Sequence, residues 1–522
     1  MSSAFRRTLP SRPDLEQQKK LAKELLHAFR ASDREAIARI RDELPDKTEI
    51  SLADAQFVLA REYGFTSWRE LKSSIDRQTV AQRPPVERFK HAVRTGDAKA
   101  LRALLERHAE VRDSIDAPIF AFDSPALVAA SGRDVDVIDV LLEFGADPNR
   151  RSSWWAGGFH PLHGAQGATA ERLMAGGAVP DACAAANLDR PDLLSRILAE
   201  DPARVHERGG DGQTPLHFAR SHHVVDLLLA AGADPDARDV DHCSTPAEWM
   251  LGDDPDSARL GLAKYLIERG ARADIFLAAA LGLTERTRTM LESDSSLLQL
   301  RTSQGEYGEK PPSSFHIYQW TIGPNLSPLQ VAAKFRQHDT LAVMERFASP
   351  EERLLLACHR GDADAARAIV DMHRGIVARL GSIDRRALTD EAWAANAPAV
   401  ELMLSLGFDP SVPSGSGPTG GTALHCAAWQ GSVESVAAIL HYPAGRALLD
   451  VREDTYGGTP LSWCSHGSTN CGDPQADHEA VARMLLAAGA RLDPEMADWE
   501  GSDAFQEVID EALRGRVPTR GV

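Results

Sequence analysis

Residues 211–239, DGQTPLHFARSHHVVDLLLAAGADPDARD, set a formula that the chain repeats. A turn leads into Thr-Pro, a short helical run with small residues, a second apolar helix and a closing Gly-Ala-Asp. GTALHCAAWQGSVESVAAIL at 421–440 restates it, and further copies begin at 123, 160, 244, 326 and 458. Weaker copies such as FKHAVRTGDAKALRALLE, LLLACHRGDADAARAIVDM and ALTDEAWAANAPAVELMLSLGFDP keep the two helices and the turn. One such unit cannot bury its apolar face alone, so neighbours must stack. With 522 residues, too many for one ordinary core, an array is the natural outcome.

Each part of the formula has a physical task. Thr214 caps the first helix and Pro215 fits its first position. Leu216 and Ala219 face the next unit, and small residues let helices approach closely. Val224, Val225, Leu227 and Leu228 give the second helix its apolar face. Gly232 ends that helix, at a position expected to need positive φ. Asp234 and Asp236 belong to the following turn. His163, His217 and His425 are expected to bond turn backbone groups of neighbouring units.

These residues resemble the ankyrin repeat, with its period of about 33 residues and Thr-Pro-Leu-His-x-Ala core. The resemblance covers roughly residues 86–495 in about twelve units. It implies an all-α fold, an ankyrin-repeat solenoid of helix pairs with short β-hairpin turns and very little sheet. LADAQFVLAREYGFTSWRELK, DAPIFAFDSPALVAASGR, RSSWWAGGFHPLHGA, RGGDGQTPLHFA and IYQWTIG together are similar to a family of bacterial ankyrin-repeat proteins. That likeness implies the fold and a cytoplasmic setting. It carries no established activity, so it assigns no functional residues.

The expected organisation is an N-terminal helical region (1–80), repeats over 81–300, an aromatic-rich insertion (301–325), repeats over 326–495, and a C-terminal capping helix and tail (496–522). Residues 14–76 read as amphipathic helices, with Ser51 and Ser67 as caps and Glu70 completing a capping box. Leu21, Leu25 and Ala28 share one face. The expected role is a cap on the first repeat, since a solenoid must cover its ends. Residues 503–517 read as a final polar-faced helix. The insertion and the shorter finger RRSSWWAGGFH (150–160) are loops of a size that is usually functional or mobile.

Composition narrows the function. The 58 basic and 76 acidic residues give a formal charge of -18. A uniformly acidic surface disfavours nucleic acid, and Lys/Arg runs go no further than short pairs. No apolar run is long enough to span a membrane, and the N-terminus lacks a secretory apolar segment. Six cysteines without a CxxC pair fit a reducing compartment and reduced thiols.

Aligning the units puts one residue per first helix on the expected concave side. In the C-terminal half these are Lys334, His359, Trp393, Trp429 and His466, with Gln430 and Tyr456 beside them. Repeated Trp and His at one structural position suggest a stripe for a ligand or partner, because desolvated aromatic anchors dominate binding. The competing reading is that the Trp rings fill space between units. The main functional expectation is a protein- or peptide-binding scaffold without catalytic residues. The alternative is a small-molecule binder or enzyme whose insertion roofs the stripe, with Tyr307, His316, Tyr318 and Trp320 as the lid and His359 or His466 as acid/base.

No cofactor or metal is expected. Cys464, His466, Cys471 and His478 match no zinc spacing, and Cys464 sits at an inward position. Cys358 and His359 point about 100° apart on a helix, which rules against a nucleophile pair. No phosphate-binding or HExxH motif occurs. The glycine-rich 414–422 stretch reads as a turn, and Asp253 and Asp254 as a solvated loop.

Overall fold

The computed structural model describes residues 5–10, 13, 15–45, 47, 50, 52–68, 70–72, 74–75, 83–252, 256–414, 420–455, 457–492 and 501–513. Two compact units divide the chain: residues 85–379 form one, and 1–84 with 380–522 form the other. Among the described residues there is no strand. Isolated bridges join Phe120 to Ser124 and Lys310 to Ser313. The turn tips close with single bonds rather than ladders, as from Gly209 N–H to the Gln213 carbonyl at 2.8 Å and from Glu453 N–H to Gly458 at 3.0 Å.

Within 85–379, first helices touch first helices in succession. Pro85–Thr95 meets Ala126–Ala130, which meets Pro161–Gly164, then Ala182–Asn187, then the turn Pro215–Phe218. Second helices make another row, Ala98–Arg107 against Val135–Glu143 against Gly167–Ala175. Small residues let the first row close up: Ala182, Ala184, Ala185 and Ala186 are fully buried. The unit that states the formula most fully has a first helix of only one 3-10 turn, Pro215–Phe218. Few residues separate Thr214 from the next cap at Ser221, too few for two helical turns and a loop.

The motif histidines His217 and His425 share one job, whereas His163 accepts from the His160 N–H and turns its other nitrogen to the Asp181 carboxylate rather than to a backbone carbonyl. In His217, Nδ1 accepts from the Thr214 N–H at 3.0 Å, and Nε2 lies 3.1 Å from the Ser244 carbonyl of the next unit. His425 repeats this with Thr422 at 3.2 Å and the Gly458 carbonyl at 3.1 Å. Where histidine is absent, a Glu or Gln closes the cap, as in Thr245–Glu248, Ser327–Gln330 and Ser349–Glu352. Burial lowers the His217 pKa to about 4, so the ring is a neutral structural bridge. Gly232 takes φ 93°, as its helix-ending role requires. Asp234 accepts from the Asp236 N–H at 2.9 Å, a local Asx turn.

In the other unit, Ala387–Trp393 touches Ala423–Trp429, which touches Pro460–Asn470. The N-terminal helices Leu15–Arg30, Arg34–Glu43 and Leu52–Glu62 hold a core of their own. Its first-helix face centres on Ala22, Leu25 and Leu26, with Leu21 and Ala28 only partly buried at its flanks. Ser67 accepts from the Glu70 N–H at 3.2 Å, while Glu70 returns to Thr66 rather than to Ser67. Ser51, Asp253, Asp254 and residues 415–419 lie outside the described residues. The expected partner of the N-terminal segment was the first repeat. The contact found inside its own unit joins Leu52–Glu62 to the C-terminal helix Asp503–Leu513. That last helix buries Phe505, Val508, Ile509 and Ala512, one face at helical spacing.

Candidate functional site

Three tryptophans meet in the 380–522 unit. Trp393 and Trp429 stack with centroids 6.0 Å apart and planes 18° from parallel. This is well under the helix-pair spacing of about 10 Å, so the rings lean into contact. Trp463 stands edge-on to both, at 6.5 and 6.2 Å. The stripe continues to exposed His466, 4.9 Å from Trp429. Trp393 and Trp429 are partly buried, whereas Trp463 is 8% exposed and forms the floor. Gln430 spans the rungs, donating to the Trp393 carbonyl at 2.5 Å. Tyr456 lies outside the described residues.

Trp463 is absent from the sequence expectation because it falls one turn before the ladder position. Its signal is the Gly-Gly-Thr pattern that precedes both helices. A Cβ on Gly421 would sit 2.6 Å from Trp463 Cη2, and one on Gly458 3.0 Å from its Cδ1. Lys334 and His359 belong to the 85–379 unit. The Lys334 ammonium donates to the Ile322 carbonyl at 2.5 Å and so ties down the end of the insertion.

The insertion is a plug rather than a lid. Tyr307, Ile317, Tyr318 and Ile322 join the main apolar core of their unit. Tyr318 is fully buried and edge-on to Phe276 at 5.6 Å. Its hydroxyl donates to Asp274, with 3.0 and 3.1 Å to the two oxygens, and Tyr307 donates to the same carboxylate at 2.9 Å. His316 is 4% exposed, with Nε2 3.3 Å from Glu248. Burial works against the Glu248 charge, but His316 holds its pKa below the usual value. Tyr318 therefore has no face left for a partner, and Tyr307 and His316 are largely buried. Trp320, at 63% exposure, is the one aromatic of this insertion that solvent reaches freely.

A cleft of about 330 Å³ opens beside this plug. The insertion lines it with Glu306, Tyr307, Lys310 and His316, the preceding helix pair with Ile275 and Met290, and the 3-10 turn after that pair with Leu297 and Leu300. Neither Trp393 nor Trp429 is among the residues that line it.

The finger at 150–160 is also packed. Trp154 Nε1 donates to Asp211 at 3.0 Å, and Trp154 meets Phe122 edge-on at 5.2 Å. Phe122 has φ 57° and is 51% exposed, and Trp155 is 44% exposed. Burial raises the Asp211 carboxyl to about 6, His242 opposing and Asp241 and Asp239 adding to the rise. A carboxyl raised in the folded state gives stability below its unfolded pKa of about 3.9, lost as pH rises through 6. Asp211→Asn keeps the acceptor and tolerates the φ of 55°. It is expected to stabilise the protein at pH 7.5 by up to about 3 kcal/mol and to be neutral at pH 4. Urea melts at both pH values check this; equal effects at both would remove the electrostatic explanation.

His163, Asp181 and Cys183 bring ligand-type atoms within 4.8 Å of one another. Asp181 already accepts from His163 Nε2 at 3.0 Å, from the Ala184 N–H at 2.6 Å and from Arg151. Burial pushes its carboxyl up, but His163, the Ala184 N–H and Arg151 together hold it well below the usual range. The Arg151 cation makes this a completed hydrogen-bond network around a helix cap. None of the six cysteines is in a disulfide, and burial pushes the Cys183, Cys426 and Cys464 thiols up. Cys464 Sγ lies 3.3 Å from the His478 carbonyl, and the His478 ring bonds Trp429 at 2.8 Å, so the two serve different contacts.

Stacked helix pairs with reciprocal caps and His bridges define an ankyrin-type helical-repeat protein. Residues 211–240 match the ankyrin-repeat family, over the segment that states the formula most fully. The ANK repeat-containing protein nipk-1 of Caenorhabditis elegans is 31% identical over 128 residues, 22% of this chain and 18% of that protein. The match thus spans less than a fifth of that relative's length. Among solved structures, the ankyrin repeat domain of Bcl-3, of the IkappaB protein family, aligns at 20% identity. It covers 51% of this chain and 99% of that one, with a TM-score of 0.21. No helix among the described residues is long and apolar enough to cross a membrane.

Proposed function

We propose that this chain is a protein- or peptide-binding scaffold whose contact face is the stripe Trp393–Trp429–His466. One observation carries the reading: two stacked tryptophans stay partly open while a third, Trp463, fills the space beneath them. Rigid, partly exposed aromatic rings bury much area at little entropic cost. Gln430 adds a polar contact beside the stripe, and Trp320 would serve a separate contact in the 85–379 unit. Lys334 and His359 would serve a second contact surface in their own unit. The free thiols fit a reducing cytoplasm, and the quoted N-terminal and insertion motifs support a bacterial source.

The test uses peptides selected from a random library against the whole chain. Trp429→Ala is expected to weaken them by about 2 kcal/mol, roughly thirtyfold. Because Trp429 also rests on Trp463, melting should fall modestly. His466→Ala removes an exposed ring and should weaken the same peptides with melting unchanged. Peptides that bind both variants as tightly as the parent would sink the stripe as a contact face.

A further inference from the structure

The insertion-walled cleft brings charges of both signs to one apolar lining. Asp274 caps the helix Ile275–Ala280 through the Leu277 N–H at 2.8 Å and accepts the Tyr307 and Tyr318 hydroxyls. All three donors are neutral. A carboxylate offers about four acceptor positions, and Tyr318 has one proton to give, so one position remains. Asp274 is partly exposed and forms part of the cleft wall. Glu306, exposed on the insertion, adds a second carboxylate.

The rim carries the opposite sign. Lys310 is exposed and makes no ion pair among the described residues. The Arg238 guanidinium, also exposed, bonds the Cys243 carbonyl rather than a carboxylate. The apolar part of the lining is Ile275, Met290, Leu297 and Leu300. An anion alone leaves Asp274 unmet, and an amine alone leaves the rim cations unmet. A zwitterion with an apolar side chain uses all three kinds of surface.

We propose that this cleft binds an apolar α-amino acid or a short peptide bearing both termini, its ammonium on Asp274 and Glu306 and its carboxylate on Lys310 and Arg238. The volume of about 330 Å³ suits a ligand of that size. Burial, with the nearby Glu248 charge adding to it, lifts the Asp274 carboxyl to about 6 against the pull of His316, and an ammonium in the cleft would relieve both. This site lies in the 85–379 unit and is independent of the tryptophan stripe.

Saturation-transfer NMR and calorimetry on the whole chain at pH 7.5 test it, with L-leucine and the dipeptide Leu-Leu as probes. The fragment probes are 4-methylpentanoate, which lacks the ammonium, and 3-methylbutylamine, which lacks the carboxylate. At least one zwitterion should bind about tenfold more tightly than either fragment. Lys310→Gln, an exposed change, should weaken the zwitterion several-fold and leave 3-methylbutylamine unaffected. Fragments that match the zwitterions, zwitterions that fail to bind, or indifference to Lys310→Gln would each overturn the assignment. Arg238→Gln gives a second rim variant with the same expected pattern.

Discussion

Asp274→Ala is expected to be among the most destabilising single changes in this protein. It strands the Leu277 N–H, the Tyr307 hydroxyl and the hydroxyl of fully buried Tyr318. Each orphaned buried group costs roughly 1–3 kcal/mol, so about 3–5 kcal/mol in total is expected. That is a large share of the 5–15 kcal/mol by which domains are typically stable. The pH dependence has a definite sign. The Asp274 pKa is raised to about 6, so its contribution is full below the unfolded value of about 3.9 and declines as pH rises through 6. The loss on truncation should therefore be larger at pH 5 than at pH 7.5. Tyr318→Phe, which removes one hydroxyl, should cost only about 1 kcal/mol. Denaturant melts settle the magnitudes, and hydrogen exchange over 301–325 reads the release of the plug. A loss under about 1 kcal/mol for Asp274→Ala would show that the insertion is held by its apolar contacts alone.

The second large effect is Gly467→Ala. A Cβ there would lie 2.1 Å from the Trp429 carbonyl oxygen and 2.8 Å from His478 Nε2. The obstacle is backbone, so Pro460–Asn470 must move away from Ala423–Trp429. The His478–Trp429 bond of 2.8 Å would be strained with it. Overpacking of this kind typically costs about 1–3 kcal/mol, and the upper end is expected because backbone cannot rotate aside. Gly472→Ala is the control. Gly472 has φ 72° with nothing within 4 Å of the added Cβ, so it isolates backbone strain, about 1 kcal/mol. Comparable losses for the two variants would mean that the helices do not approach this closely in solution.

What the sequence reveals and what it conceals follow from periodicity. Helix pairs, caps and the succession Trp393, Trp429, His466 are legible because the same position recurs in each unit, and stacking makes equal positions neighbours. The His217 and His425 bridges are legible for the same reason. Tyr307, His316 and Tyr318 have no such register. A 25-residue insertion gives aromatic spacing but no period, and an aromatic residue there fits an exposed lid as well as a buried plug. Asp274 decides between them. Its place before a small-residue helix matches that of Asp181, another helix cap with buried side-chain partners. Trp463 is hidden because its role depends on two glycines from different units.

The two units also differ in when they can be completed. Every residue of the 85–379 unit is contiguous, so its core can close as soon as that stretch has emerged from the ribosome. The other unit joins Leu52–Glu62 to Asp503–Leu513, from opposite ends of the sequence. At typical synthesis rates the first of these helices waits roughly 20–90 s for the second. During that wait it must keep its apolar face covered within the small bundle of Leu15–Arg30 and Arg34–Glu43. Chain order thus makes Leu52–Glu62 long before the helix that completes its housing.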